Sequence, residues 1–365
     1  MNTGSRWTAG ASDFDGTRLS IARRLRGLSK TELARALDVT PTAVAQFEKG
    51  VRPAQATLAR ACLVLGMPRE FFGSGAPVGA LPAANAHFRS LRSTTTKARE
   101  QALAYGELCL ELVDLVSQYV DLPEVDLPEL SLPEEITLED AAEAARAVRA
   151  AWDLDPGPAP SVVQLLEAHG VVVLRLPEGT DRRVDAFSTT SGDRPLVFLS
   201  PVKEDRARSR FDAAHELGHL ILHPDSEPGS KLIEQQANAF ASEFLMPRDE
   251  ILEQLPKRID WPRFHTLKRH WGVSLRALVF RAHTLGRLSD ASYRRANQQL
   301  STWGQPEPGS LGAAESPQLL GQARELLLDN NIDFDALLTQ ARLAVEITDQ
   351  IIEAGSPDRL TLRIE

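Results

Sequence analysis

The sequence predicts a multidomain fold: an all-α module first, an α+β domain in the middle and a helical extension at the C-terminus. Three observations carry this reading. At 365 residues the chain exceeds what one small core organises. Residues 14–75 carry helix caps and helical apolar spacing, whereas residues 134–290 alternate helical and strand-like runs. The Gly/Pro/Ser-rich stretch "STWGQPEPGSLGAAESP" then precedes a last helical run, so residues 291–365 read as linker and extension. Residues 76–133 are left as a helical connector with an acidic Leu-Pro linker.

Composition is that of an ordinary globular protein, 42% hydrophobic and 25% charged. The N-terminal "MNTGSRWTAGASDFDG" has no apolar signal region, and no 18-residue apolar run occurs, so neither secretion nor a membrane partner is expected. Cys62 and Cys109 each sit in a helical pattern, which suits a reducing cytoplasm. The net charge of −9 argues against nucleic acid globally, but the first module differs. From Asp15 to Gly75 there are ten Arg and Lys against five acids, a footprint suited to phosphate.

That module is punctuated as two helices around a turn. Ser29 caps the first, with Glu32 at the capping-box position and Leu33, Ala34 and Leu37 as its apolar face. Asp38-Val39 makes the turn, Thr40 caps the second helix and Pro41 takes its first position. Val44 and Phe47 face inward, leaving Thr42, Ala43, Gln46 and Lys49 outside. The segment "LSKTELARALDVTPTAVAQFEKG", with "RPAQATLARACLVLGMP" after it, resembles Xre-type, lambda-repressor-like helix-turn-helix domains. The resemblance implies a double-stranded DNA operator as partner, with the second helix in the major groove. Gln46 would then read adenine, Thr42 and Ala43 would lie against base edges or phosphate, and Lys30, Lys49 and Arg52 would meet phosphate. Pro41 stands where a polar residue often contacts a base.

Next, "HFRSLRSTTTKAREQALAYGELCLELVDLVSQYV" reads as a Ser/Thr-rich entry and a long helix. Its Leu108, Leu112, Leu115 and Val116 stripe suits domain packing, with a homodimer seam as the alternative. In "DLPEVDLPELSLPEE" Leu-Pro recurs every five residues, and nine acids with no Lys or Arg fall between Asp121 and Glu143. This predicts an extended, self-repelling spacer, or a DNA mimic over the basic helix.

The middle domain runs "SVVQLLEAHG", "VVVLRLP", "DAFS" and "PLVFLS", a small sheet backed by helices that offers an edge for strand addition. Then comes "FDAAHELGHLILHP". His215 and His219 lie four apart, on one face of a helix, and two neutral imidazoles so placed share a metal ion. Glu216 sits beside the position of that metal's water, placed to take its proton, which is the H-E-x-x-H arrangement of zinc hydrolases. A catalytic Zn²⁺, one per chain, needs a third ligand. Candidates are His223, Asp225, Glu227, Glu234 and Glu243. His223 precedes Pro224 and suits the helix C-terminus better than ligation, and the turn-rich "HPDSEPGS" holds ligands poorly. On "KLIEQQANAFASEFLMP", Glu234 lies about 60° from the centre of the apolar face and Glu243 about 120° on the other side. Glu234 is therefore preferred and Glu243 is the solvated alternative. Asn238, a turn beyond Glu234, is placed to hydrogen-bond a zinc histidine and fix its orientation.

"RFDAAHELGHLILH" followed by "EQQANAFASEFLMP" resembles the ImmA/IrrE family of metallopeptidases over about 150 residues, Glu134 to Arg287. The resemblance implies a gluzincin-like fold, His215, His219 and Glu234 as ligands, Glu216 as base, and a repressor-type protein substrate. His265, His270 and His283 are downstream candidates for oxyanion stabilisation, each better suited to structure. In the extension, "LLGQARELLLDNNIDFDALLTQARLAVEITDQIIEAG" reads as two helices and "RLTLRIE" as a strand. Two functions follow. One is a DNA-binding zinc endopeptidase cleaving a regulator, a co-expressed partner or itself in a stress, prophage or toxin-antitoxin response. The other is a non-catalytic repressor or antitoxin using the peptidase fold for binding. A base at Glu216 favours the first.

Overall fold

The computed structural model describes residues 14–73, 81, 95–177, 179–180, 184, 186–189, 194–200, 205–224 and 230–354. The first module is helical throughout: α1 (Gly16–Leu25), α2 (Lys30–Leu37), α3 (Pro41–Phe47) and α4 (Gln55–Leu65). Ser29 and Glu32 form the reciprocal capping box of α2. Asp38 ends that helix at φ 58°, and Thr40 accepts from the Ala43 N–H to start α3. Gly16 allows α1 to meet the end of α3, since a Cβ there would lie 2.1 Å from the Phe47 carbonyl oxygen.

Against α1 lies α5 (Thr96–Val116). Leu108, Leu112, Leu115 and Val116 are all buried within the chain, so the stripe is intramolecular packing and not a dimer seam. The same helix carries Glu107 to Arg24 and Glu111 to Arg18, the second pair at 2.8 Å with both side chains essentially inaccessible. Arg23 is buried too, on Glu48. Three of the cations counted toward a phosphate footprint are therefore tied to acids, two of them by a helix some eighty residues away.

The sheet has the order β1-β3-β2, with β1 (Val172–Arg175) parallel to β3 (Leu196–Leu199) and β2 (Phe187–Thr189) antiparallel to it. Both faces are covered, which explains the unbroken apolar runs. Leu196 and Phe198 point to the core shared with α5 and the first module, and Val197 and Leu199 point to a second core. Gly106 of α5 is required here, because a Cβ would lie 2.3 Å from the Phe198 ring. The second core is built by α6 (Leu138–Ala151), α7 (Val162–Ala168), α8 (Arg206–Leu222), α9 (Lys231–Leu245), α10 (Arg248–Ile251), α11 (Trp261–Trp271), α12 (Leu275–Thr284) and α13 (Asp290–Trp303). The boundary expected at 290 thus falls at the start of a helix whose Ala296 and Leu300 belong to that core.

The Leu-Pro segment is extended but it is not a free spacer. Leu127, Leu130 and Leu132 pack on the second core while Glu124, Asp126 and Glu129 stay exposed. The Asp126 N–H donates to the His169 carbonyl at 3.1 Å, and Trp152 Nε1 donates to the Asp126 carbonyl at 3.0 Å. The charge count suggested self-repulsion, but the leucine period decides, turning the acids to water and the apolar side to the domain.

The Gly/Pro/Ser-rich stretch before the last helices is held as well. Buried Glu307 accepts from the Leu275 N–H at 2.6 Å and Lys268 Nζ at 2.7 Å, and buried Glu315 accepts from the Val162 N–H at 2.7 Å and from Arg210. Each carboxylate satisfies the open N–H groups at a helix start. Beyond it the chain forms three helices rather than two, α14 (Leu319–Asp329), α15 (Phe334–Gln340) and α16 (Val345–Glu353), broken at Asn331 and Arg342, both with φ 59°. Their Leu327, Leu338 and Ile347 close the first core against α5. "RLTLRIE" lies outside the described residues.

Candidate metal centre and nucleic-acid face

Asp205 caps α8, and the helix carries His215 and His219 inward one turn apart, both at 0% exposure. Their Nε2 atoms face each other at 3.1 Å. α9 crosses close to α8 where Gly218 meets the Phe240 side chain; a Cβ would sit 3.2 Å from it. That crossing brings the first turn of α9 over the histidines. Glu234 Oε2 lies 3.4 Å from His215 Nε2 and Oε1 lies 3.5 Å from His219 Nε2. Asn238, a turn further, meets His215 Nδ1 through Oδ1 at 3.1 Å.

The donor chemistry suits a cation. Asn Oδ1 only accepts, so His215 Nδ1 carries the proton, and a neutral His215 then presents a lone pair on Nε2. Two imidazole nitrogens and a carboxylate oxygen, within 4.8 Å of one another, then converge on one point. That is the His₂Glu ligand set of catalytic zinc sites, and the residues present fit the ion.

Glu216, fully buried, accepts from Ser188 Oγ at 2.8 Å through Oε2. Sequence reasoning missed Ser188. The signal was the alternation of strand β2, which sends Phe187 to the first core, where it stacks on Phe198 at 4.1 Å, and the Ser188 hydroxyl to the metal helix. A cleft of about 1210 Å³ reaches Asn238 and is lined also by Arg208, Phe211, Arg276, Phe280 and Tyr293; His215, Glu216, His219 and Glu234 do not line it.

Other candidates lie elsewhere. Glu243, expected to be solvated, is 1% exposed, accepts from the Arg248 N–H and pairs with Arg146 and Arg281. A wheel of α9 alone could not show that α6 and α12 close over that face. His223 does sit at the helix end, with its N–H on the His219 carbonyl at 2.9 Å, but its ring also meets His219 Nδ1 at 3.2 Å. His283 pairs with Asp290 and stacks on Tyr293, while His265 and His270 lie near Trp303 and Trp271. Asp225 and Glu227 fall outside the described residues.

On α3 and just after it, Thr42, Gln46, Lys49 and Arg52 are exposed and Ala43 is half-buried. Lys30 Nζ lies 3.0 Å from Glu48 Oε2, the carboxylate that also holds Arg23, so Lys30 is partly neutralised.

Among the described residues no helix is long and apolar enough to cross a membrane. No curated protein matches the chain. Two family models do. One, described as a helix-turn-helix, matches residues 19–72, and the other, a peptidase M78 model described as an IrrE N-terminal-like domain, matches residues 166–283, the span that contains His215, Glu216, His219, Glu234 and Asn238. The chain therefore carries an Xre-type helix-turn-helix domain ahead of an IrrE-like peptidase domain.

Proposed function

We propose that this protein is a DNA-binding regulator whose peptidase domain hydrolyses a peptide bond in another regulator or a co-expressed partner. The observation that carries the reading is the convergence of His215, His219 and Glu234 on one point, with the Glu216 carboxylate on the same helix held by Ser188. A zinc ion bound there supplies Lewis acidity and makes water acidic enough to be a nucleophile near neutral pH. Glu216 takes the proton from the attacking water at a carboxylate oxygen and passes it to the leaving amine. Ser188 fixes the orientation of that carboxylate. Asn238 keeps the His215 proton on Nδ1, so that Nε2 stays a ligand.

α3 is the helix proposed to enter the major groove, with Gln46 as base reader, Thr42 and Ala43 against base edges, and Lys49 and Arg52 on phosphate. Lys30 contributes less, since Glu48 already holds it. Because the first module, α5 and one face of the sheet share a core, DNA binding would hold the peptidase beside the promoter, at an effective concentration near millimolar for whatever is bound next to it. A stress, prophage or toxin-antitoxin setting suits such an arrangement. The test is Glu216→Gln. It should keep zinc and DNA affinity while losing all cleavage of the target regulator in a purified system. If cells carrying that variant regulate their target genes as the wild type does, proteolysis is dispensable and a non-catalytic repressor that binds its partner through the peptidase fold is the better reading.

A further inference from the structure

We infer that His223 and Gln236 form a positioning relay that fixes His219 in its ligand tautomer and fastens it to the backbone of the connector; this rests on the zinc reading above. The chain of contacts is complete. His219 Nδ1 meets His223 Nδ1 at 3.2 Å, His223 Nε2 meets Gln236 Oε1 at 2.8 Å, and Gln236 Nε2 donates to the Ile136 carbonyl. His223 is 2% exposed and Gln236 4%.

The direction of every proton follows from the last link. A carbonyl oxygen only accepts, so the Gln236 amide must turn its NH₂ toward Ile136 and its oxygen toward His223. That oxygen accepts from His223 Nε2–H. A neutral His223 then offers Nδ1 as an acceptor, and His219 Nδ1 must carry the proton. His219 Nε2 is left as a lone pair facing His215 Nε2 and Glu234. Asn238 imposes the same tautomer on His215. α9 therefore supplies a ligand, Glu234, together with the groups that set the tautomers of both others.

The second histidine of the motif is thus held by a longer line than the first. It ends on Ile136, at the close of the Leu-Pro segment and one residue before Thr137 caps α6. Outer partners of this kind set ligand orientation and basicity, and their loss weakens metal binding by about 10–100-fold.

The test is zinc affinity, measured by chelator competition on the full chain, with nitrogen-15 histidine spectra of the metal-free protein. Gln236→Leu and His223→Leu should each weaken zinc binding about 10–100-fold. The spectra should show His219 as the Nδ1–H tautomer in the wild type and as a mixture in the leucine variants. Folded leucine variants that bind zinc within about twofold of wild type would overturn the relay. A wild type that binds no zinc sinks the metal centre itself. The wild-type tautomer still decides the relay in that case, or if a leucine variant fails to fold: an Nε2–H His219 overturns it.

Discussion

Along the seam between α1 and α5, Arg18 and Arg24 are taken out of water and each meets a carboxylate of the opposite helix. Between α8 and α9, buried polar groups also meet, but there the Nε2 atoms of two imidazoles and a carboxylate face one another. The first arrangement is closed, since each cation meets an acid of the same chain. The second gathers two ring nitrogens and a carboxylate on one point, the donor set of a cation site. Buried polarity by itself therefore says little about function; the direction in which donors and acceptors point separates a structural ion pair from a binding site.

The largest effect should come from breaking the second arrangement. His219→Ala and Glu234→Ala should each lose tightly held zinc, as read by elemental analysis after desalting. Glu243→Ala should keep the metal but lose about 3–5 kcal/mol of stability in denaturant melts, because Arg281 would be left buried without its partner. A Glu243→Ala protein that folds normally and has lost its zinc would reverse the assignment of the two glutamates.

Next in size is the closed seam. Arg18→Met should destabilise by about 3–5 kcal/mol, while Arg18→Met combined with Glu111→Leu should recover most of that loss, as expected where charges serve only each other. Failure of the double variant to recover would mean that the pair does something besides neutralise itself. At the metal cluster no apolar replacement should restore binding.

A pH effect should follow at the same seam. Burial pushes the Glu111 carboxyl up to about 7, against the pull of Arg18 and with Glu107 and Asp114 adding to the rise. Between its ordinary 4.5 and about 7 the unfolded chain has released this proton while the folded chain keeps it. The folded state binds more protons in that window, so stability falls as pH rises through it, by up to about 3 kcal/mol from this group. Melts of Glu111→Gln across the window should be flatter than wild type; an equal slope would show that Arg18 keeps Glu111 ionised throughout.

The smallest effects belong to the DNA face. Gln46→Ala should relax specificity at one operator position by about 1–3 kcal/mol, and Lys49→Ala should weaken all sequences and lower the salt slope by about one. Lys30→Ala should change both less than Lys49→Ala does, because Glu48 competes for Lys30. Binding isotherms on matched and mismatched duplexes at several salt concentrations check all three. If Lys30 proves the stronger, the Glu48 pair opens on DNA.

What the sequence by itself determined is what depends on short spacing. The caps at Ser29 and Thr40, the inward Val44, and the four-residue step between His215 and His219 are set by helix geometry within one turn, and all form as read. The choice of Glu234 over Glu243 as the carboxylate beside the histidines rested on one helix's apolar face and matches the geometry; the picture of Glu243 as solvated did not, because Arg146 and Arg281 come from other helices. Tertiary structure alone decided that Ser188 reaches Glu216, that His223 joins His219 to Gln236 and Ile136, and that Glu107 and Glu111 meet cations of the first module. It also turned two stretches that look like linkers into packed parts of the fold, through leucines on one and Glu307 and Glu315 on the other. The reason is common to all of these. A local pattern records which face a residue takes on its own helix or strand, but whether a charge is exposed or an imidazole carries its proton on Nδ1 depends on groups tens to over a hundred residues away, and only the folded chain brings those together.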